Sequence, residues 1–182
     1  MKKLNIGCGA NILSGWENYD LYPFNGHVKF IDITNPLPFE DDSVDFIHSE
    51  HVQEHISTQE GYNFFKEAKR ILKKNGVIRT LTPSLVQIAN GETEEYRNFI
   101  RAHGWGDGQP GCGVRAILFE HGHQCLYTEE SLTAILNSLG FKAEKADIYT
   151  SAFEELNNIS GHSAAISDAF NKLETFCVEA IK

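Results

Sequence analysis

The chain has 182 residues, 41% hydrophobic and 23% charged, which is typical of one globular domain spanning residues 1–182. Its net charge of −9 and the absence of a basic face argue against a nucleic-acid partner. No apolar run approaches the roughly 20 residues of a membrane span, no signal-peptide pattern opens the chain, and the four cysteines are widely separated. These features predict a cytoplasmic protein without a membrane partner and without a structural zinc site built from cysteine alone.

Strand-like segments and helical patterns alternate along the chain, which predicts an α/β fold with a mostly parallel sheet of about seven strands. Helical spacing is clearest over 58–73, where Asn75-Gly76 is expected to stop the helix, and over 128–139, where Thr128 is the expected N-cap. A third helix is expected near 93–102. The predicted strands are 3–7, 17–21, 28–32, 44–49, 76–82, 142–149 and 174–181.

The first three connections between strands, about 10–16, 22–27 and 33–43, are too short for full crossover helices. The early helices should therefore be trimmed, leaving one face of that half of the sheet open. The long segment 84–127, or a second copy of the chain in a homodimer, is expected to cover it. Within that segment, residues 103–113 are rich in glycine and contain Pro110, which fits either a lid or an irregular connection.

The most informative local feature is the turn Gly7-Cys8-Gly9 after the first strand, followed by Asp20 at the end of the second. Glycines there let the backbone approach a ligand closely, and a carboxylate at the next strand end can hold a ribose diol. A nucleotide-like ligand is therefore expected. A dinucleotide fits poorly, because Ile12 stands where that fingerprint needs a third glycine.

Several motifs in this order and spacing resemble the class I S-adenosylmethionine-dependent methyltransferases, over about residues 3–83 and 121–149. The resemblance implies a Rossmann-like fold, S-adenosylmethionine as cofactor, and an O or N atom of a small molecule or sugar as methyl acceptor. The matching segments are Leu4–Gly9, Gly15–Asp20, Asp32–Ile33 with Pro36–Phe39, Val44–His55, Arg70–Gly76 and His123–Phe141.

The same resemblance implies roles for particular residues. Asp20 would accept hydrogen bonds from the ribose hydroxyls, Asp32 from the adenine amino group, and Ile33 would flank the adenine ring. The alternative interpretation is a loop residue that caps a turn for Asp20 and a solvated loop carboxylate for Asp32. The remaining implied cofactor-binding residues are Asn5, Gly7, Cys8, Gly9, Leu21, Ser49 and Glu50.

Two positions depart from the family pattern. Asn5 stands where these enzymes often carry Asp or Glu, and Asn11 stands where they often carry a third glycine. The usual charge partner for the cofactor's ammonium group is then missing. A methyltransferase-like module that binds a cofactor or a partner without chemistry is therefore the alternative function.

Three histidines are candidates for a general base that takes a proton from the acceptor: His51, His121 and His123. Each one singly could equally be an ordinary core or surface histidine. His51, Glu54 and His55 also match the H-x-x-E-H pattern of one metalloprotease class, which raises a metal-dependent hydrolase as a third hypothesis. The methyltransferase-like surroundings explain that run better, so no metal is expected.

Overall fold

The seven predicted strands form and assemble into one sheet in the computed structural model, which describes residues 1–162 and 166–182. The strand order is β3-β2-β1-β4-β5-β7-β6; β1 to β5 run parallel, and β7 is antiparallel to both of its neighbours. This confirms the predicted class I methyltransferase type of Rossmann-like sheet. The strands are β1 (Lys3–Ile6), β2 (Glu17–Asp20), β3 (Val28–Phe30), β4 (Val44–Glu50), β5 (Leu72–Pro83), β6 (Lys142–Ala146) and β7 (Thr175–Ile181).

Six α-helices and two short 3₁₀ turns accompany the sheet in the described residues. The connections before β2, β3 and β4 contain turns and bends but no helix, as their lengths predicted. The helices are α1 (Thr58–Ile71), α2 (Leu85–Gly91), α3 (Glu94–Ala102), α4 (Cys112–Phe119), α5 (Glu129–Ser138) and α6 (Asp168–Glu174), and the 3₁₀ turns are Gln53–His55 and Glu154–Leu156. None of these helices is long and apolar enough to cross a bilayer.

Helix starts follow local capping chemistry. Ser57 and Glu60 form a reciprocal capping box at the start of α1, and Thr128 accepts from the Ser131 amide at the start of α5, as predicted for Thr128. The predicted stop of α1 at Asn75-Gly76 is wrong. The helix ends at Ile71, and Asn75, with a φ of 64°, lies in the irregular stretch of β5 between Leu72, which pairs with Val44, and Val77, which pairs with Phe46.

The main core lies between one face of the sheet and the helices α1 and α5. The apolar side chains that α1 contributes to this core are all inaccessible to solvent. The helical period of 3.6 residues places them on one face of the helix. The core residues of the two helices are Phe64, Phe65, Ala68, Ile71, Leu132 and Leu136.

The opposite face of the sheet is covered by a different segment than expected. Trp16, Phe153, Leu156 and Ile159 pack against Phe46 and its neighbours on that face. The cover therefore comes from the β1–β2 connection and the long β6–β7 connection, and the expected cover by 84–127 is wrong. The only reason to expect a homodimer was that this face would be open, so that reason for a second subunit no longer holds.

Segment 84–127 instead builds a helical layer beside the carboxyl ends of the strands. Its helices share a second core with α6, centred on Tyr96 and Ile100. The glycine-rich stretch is held in place, since the Glu92 carboxylate accepts hydrogen bonds from the amides of Gly111 and Gly113, both at 2.7 Å. The role of this segment as a lid stays a prediction.

Candidate functional site

A cleft of about 240 Å³ opens at the carboxyl ends of β1, β2, β3 and β4. In this strand order the connections reverse direction between β1 and β4, and parallel α/β sheets bind ligands in the crevice at such a point. We name it the carboxylate cleft, after Asp20 and Asp32. It is lined by Gly7, Asp20, Leu21, Tyr22, Ile31, Asp32, Ile33, Thr34, His51, Val52, His55 and Ile56.

The glycine turn shapes the floor of this cleft. Gly7 has a φ of +67°, and a Cβ atom added to it would lie 2.2 Å from a methyl carbon of Val52. Only glycine fits there, because both the backbone conformation and the close packing of Val52 exclude a side chain. The next glycine, Gly9, donates its amide to Asp20 Oδ2 at 2.9 Å, so the turn also fixes that carboxylate.

Both aspartates are oriented by their own loops. Asp20 Oδ1 accepts from the Tyr22 amide at 2.9 Å. Asp32 accepts from the amide and the hydroxyl of Thr34, at 2.9 and 2.7 Å, and these bonds lower the pKa of Asp32. A carboxylate has about four lone-pair positions, so each aspartate keeps capacity for a ligand while it caps its turn. The turn-capping and the ligand-binding interpretations are thus compatible.

Five of the implied cofactor-binding residues lie outside the lining of the carboxylate cleft, and one of them, Gly9, acts on it through its hydrogen bond to Asp20. Asn5 is buried beneath the turn, where its amide nitrogen donates to Asn11 O at 2.7 Å and to Asn18 Oδ1 at 2.9 Å. Cys8 is also buried, and its thiol donates to the carbonyl of Gly9. Both residues hold the shape of the turn, which fits a supporting role.

Ser49 and Glu50, the other two, are engaged by protein groups at the end of β4. Ser49 is fully buried and accepts from the side chain of Gln53. Glu50 accepts from the hydroxyl of Ser160 and, at 2.7 Å, from the amide of Gly161. Burial alone would raise the pKa of Glu50, but the neighbouring His48 imidazole and these hydrogen bonds lower it to about 2. Glu50 therefore anchors the β6–β7 connection.

A second cavity of about 340 Å³ adjoins the first, and His51 and His55 line both. We name it the histidine chamber. It brings together all three histidines proposed as general bases. Its lining residues are His51, His55, Pro83, Tyr96, Ile100, Trp105, Ala116, Ile117, His121, His123, His162, Ile166 and Glu174.

His51 is held firmly at the boundary of the two cavities. Its φ is +53°, its Nε2 lies 2.9 Å from the Thr175 hydroxyl, and its Nδ1 lies 3.1 Å from Glu54 Oε1. Burial disfavours the charged imidazole, but the Glu54 carboxylate outweighs it and raises the pKa of His51. A protonated His51 is a hydrogen-bond donor, so this position is a poor choice for a general base.

His123 and His121 have the opposite character. Burial lowers the pKa of both imidazoles, which favours their neutral forms. His123 Nδ1 lies 2.6 Å from the carbonyl oxygen of Ile117, so this nitrogen carries the proton and Nε2 is left as an acceptor. The geometry makes His123 the stronger candidate for accepting a proton in the chamber.

The chamber also contains polar residues that the sequence gave no reason to select. Glu174, at the end of α6, accepts from the Tyr96 hydroxyl at 2.7 Å and lies 3.2 Å from His162 Nε2. Trp105 adds an aromatic wall, 5.0 Å from the His121 ring. These residues come from separate segments and match no local motif, so no sequence signal could have identified them.

Three comparisons with known proteins bear on this geometry. A family model described as a methyltransferase domain matches residues 14–80, which include both aspartates of the carboxylate cleft. No curated protein sequence matches the chain.

Solved structures share the fold over the whole chain. An S-adenosylmethionine-dependent methyltransferase from Archaeoglobus fulgidus is 16% identical with a TM-score of 0.62, covering 100% of this chain and 86% of that one. One from Mesorhizobium loti is 15% identical with a TM-score of 0.58, at 100% and 90% coverage. Phosphoethanolamine N-methyltransferase 2 from Haemonchus contortus, solved with S-adenosylmethionine, is 18% identical with a TM-score of 0.54, at 100% and 49%. At these identities the likeness establishes the fold.

Proposed function

We propose that the protein is an S-adenosylmethionine-dependent methyltransferase that methylates an O or N atom of a small molecule. The methyltransferase-domain match over residues 14–80 and the shared fold both support this class of enzyme. The observation that carries the proposal is the arrangement of Asp20 and Asp32 around the Gly7 turn in one cleft, at the switch point of the sheet.

In this proposal the carboxylate cleft holds the adenosine part of the cofactor. Asp20 accepts hydrogen bonds from the two ribose hydroxyls, and Asp32 accepts from the adenine amino group, with Ile33 against the ring. Gly7 lets the turn pack directly against Val52, and the two residues together line the cleft beneath the cofactor. The sulfonium end then points toward His51 and His55, where the cleft meets the histidine chamber.

The acceptor occupies the histidine chamber. Its volume of about 340 Å³ suits a small molecule, and Glu174 and Trp105 offer a carboxylate and an aromatic wall to a polar or sugar-like acceptor. The acceptor lone pair attacks the methyl carbon in line with the C–S bond, whose electron pair stays on sulfur, and His123 Nε2 takes the acceptor proton. Positioning of the two reactants supplies most of the rate.

Calorimetric titration with S-adenosylmethionine and S-adenosylhomocysteine tests the cofactor site. We expect both compounds to bind, and Asp20→Ala to weaken each by about 1–3 kcal/mol, the scale of a lost charged hydrogen-bond set. Glu144→Ala removes an exposed carboxylate on β6 and should bind like the wild type. Failure of the wild type to bind either compound would overturn the proposal.

A binding module without chemistry is the second candidate. It is favoured by the engagement of Asn5 and Glu50 with protein partners, which leaves neither open to the cofactor's ammonium group. Transfer of a radiolabelled methyl group from S-adenosylmethionine to a panel of small hydroxyl and amine acceptors separates the two. Tight binding with no transfer to any acceptor would favour the module.

A further inference from the structure

Three side chains with metal-ligand chemistry lie close together at the histidine chamber, which two of them, His55 and His123, line. Glu54 and His55 belong to the 3₁₀ turn Gln53–His55, and His123 belongs to the loop 121–125. Their ligand atoms all lie within 4.8 Å of one another. We propose that these three residues bind one first-row divalent cation of the Zn²⁺ type.

Hydrogen bonds join the 3₁₀ turn Gln53–His55 to the loop 121–125, so the three ligands are held in position without a cation. The backbone amide of Gln124 donates to Glu54 O at 2.7 Å, and its side-chain amide donates to His55 O at 2.7 Å. The backbone amide of Cys125 also donates a hydrogen bond to Glu54 O, at 3.3 Å. A site whose ligands are fixed by neighbouring hydrogen bonds binds a metal more tightly than a flexible one.

The burial of the Glu54 carboxylate is the second observation that points to a cation. The Glu54 side chain is fully buried. Oε2 accepts from the Thr82 hydroxyl at 3.1 Å, and Oε1 lies 3.1 Å from His51 Nδ1. Buried carboxylate oxygens are normally hydrogen-bonded or bound to a metal. Each oxygen has one such partner and keeps a lone pair for a cation.

The imidazole of His123 is prepared for the same role. Because Nδ1 lies against the carbonyl of Ile117 and must donate to it, the lone pair is on Nε2. A backbone carbonyl that holds one ring nitrogen while the other binds metal is the usual second partner of a metal-bound histidine. The ring of His55 lies 4.9 Å from that of His123 and completes the set.

This ligand set differs from the H-x-x-E-H pattern in one member. His51 is the first histidine of that pattern. Its Nε2 contacts the Thr175 hydroxyl and its Nδ1 contacts Glu54, so it positions the Glu54 carboxylate and is not a ligand itself. His123, about 70 residues further along the chain, takes its place. No metal is expected from the His51–His55 run alone. The proposed site differs because its third ligand, His123, comes from a distant part of the chain.

Two imidazoles and one carboxylate suit Zn²⁺, Fe²⁺ or Co²⁺ better than Mg²⁺, which prefers oxygen ligands. Three protein ligands also leave coordination positions open for a substrate. The role of the cation rests on the proposed function: it would bind the acceptor's O or N atom and make its proton easier to lose. With the cation on His123 Nε2, that nitrogen would no longer take the acceptor proton, which would pass to solvent. The acceptor lone pair would form the bond to the methyl carbon, and the C–S electron pair would stay on sulfur.

The test is titration of the chelator-treated full chain with Zn²⁺ and, as a spectroscopic probe, Co²⁺. We expect one Zn²⁺ per chain and visible Co²⁺ absorption of a site with nitrogen ligands. His55→Ala and His123→Ala should each weaken Zn²⁺ binding at least about 10-fold. His27→Ala, an exposed histidine remote in the chain, should bind like the wild type.

Titration of the same samples with S-adenosylhomocysteine serves two purposes. His123 lines the histidine chamber but not the carboxylate cleft, so His123→Ala should bind S-adenosylhomocysteine like the wild type while it loses Zn²⁺. Absence of Zn²⁺ binding in a wild type that binds S-adenosylhomocysteine would overturn the metal site and leave the proposed function standing. Equal Zn²⁺ affinity of the wild type and both histidine variants would also overturn it.

Discussion

Gly7 and Gly9 share a left-handed backbone but differ in their surroundings, which makes them a matched pair of test positions. An added Cβ would meet Val52 at 2.2 Å on Gly7, whereas on Gly9 it would meet nothing within 4 Å. We expect Gly9→Ala to cost about 1 kcal/mol of stability from backbone strain. Gly7→Ala should cost about 1–3 kcal/mol more, because Val52 must move.

Thermal unfolding and S-adenosylhomocysteine titration of the two variants check this expectation. Because Gly7 lines the carboxylate cleft, Gly7→Ala should also weaken S-adenosylhomocysteine binding more than Gly9→Ala does. Equal losses of stability and affinity in the two variants would contradict the described packing of Val52 on the turn.

The positions of Asp20 and Asp32 could be predicted because each follows directly from a local pattern, a strand that ends in a polar turn. Ser49 and Glu50 end a strand in the same way, yet their side chains are engaged elsewhere. The partners of Glu50 are Ser160 and Gly161, which lie 110 and 111 residues away along the chain. Spacing within one segment contains no information about such contacts.

At the scale of elements, β5 and β7 are joined across the sheet by a buried ion pair. Arg79, fully inaccessible to solvent, pairs with Glu179 and also donates to Asp147 O at 2.6 Å. Glu179→Ala would leave the guanidinium buried without its counter-charge. We expect it to lower the free energy of unfolding by about 3–5 kcal/mol, measured by urea denaturation.

The exposed pair of Lys145 and Glu129 provides the control for this prediction. Lys145→Ala should cost no more than about 1 kcal/mol, because solvent screens an exposed pair. A loss of under 1 kcal/mol for Glu179→Ala would show that the buried pair is not the stabilising contact inferred here.

Long periodic helices could be predicted and short helices could not. The helix α1 has 14 residues and a clear apolar stripe. The helices α2 and α6 have seven residues each, which is less than two turns and too short to show a period. The cover on the back of the sheet was missed for a related reason. Phe153 and Leu156 lie in a connection without regular periodicity, and their burial depends on tertiary packing.

At the scale of the whole molecule, Glu50 couples the stability of the fold to pH. Its pKa falls from 4.5 to about 2 on folding, so its contribution is fully present above pH 4.5 and is lost as the pH falls toward 2. The shift corresponds to about 3 kcal/mol, since one pKa unit is about 1.4 kcal/mol. Urea denaturation of wild type and Glu50→Gln at several pH values between 7 and 3 measures it.

The expected result is a stability difference between the two proteins that shrinks as the pH falls from 4.5 toward 3. The variant Glu144→Gln, at an exposed position of β6, should differ little from the wild type throughout this range. A difference between wild type and Glu50→Gln that is constant with pH would contradict the assignment of Glu50 as a charged anchor.

The histidine chamber also belongs to this scale, because three distant parts of the chain build it. The turn Gln53–His55, the segment 84–127 and the region of His162 and Glu174 meet only in the folded protein. The nucleotide end of the site could be predicted from motifs near the N-terminus. The chamber could not, and for this reason the sequence does not identify the acceptor.

A crystal structure of the protein with S-adenosylhomocysteine tests the central claim most directly. The account predicts the adenosine in the carboxylate cleft, with both ribose hydroxyls on Asp20, the adenine amino group on Asp32, and the sulfur directed toward His51, His55 and the histidine chamber. Density for the compound elsewhere on the molecule, or with the sulfur directed away from the chamber, would contradict it.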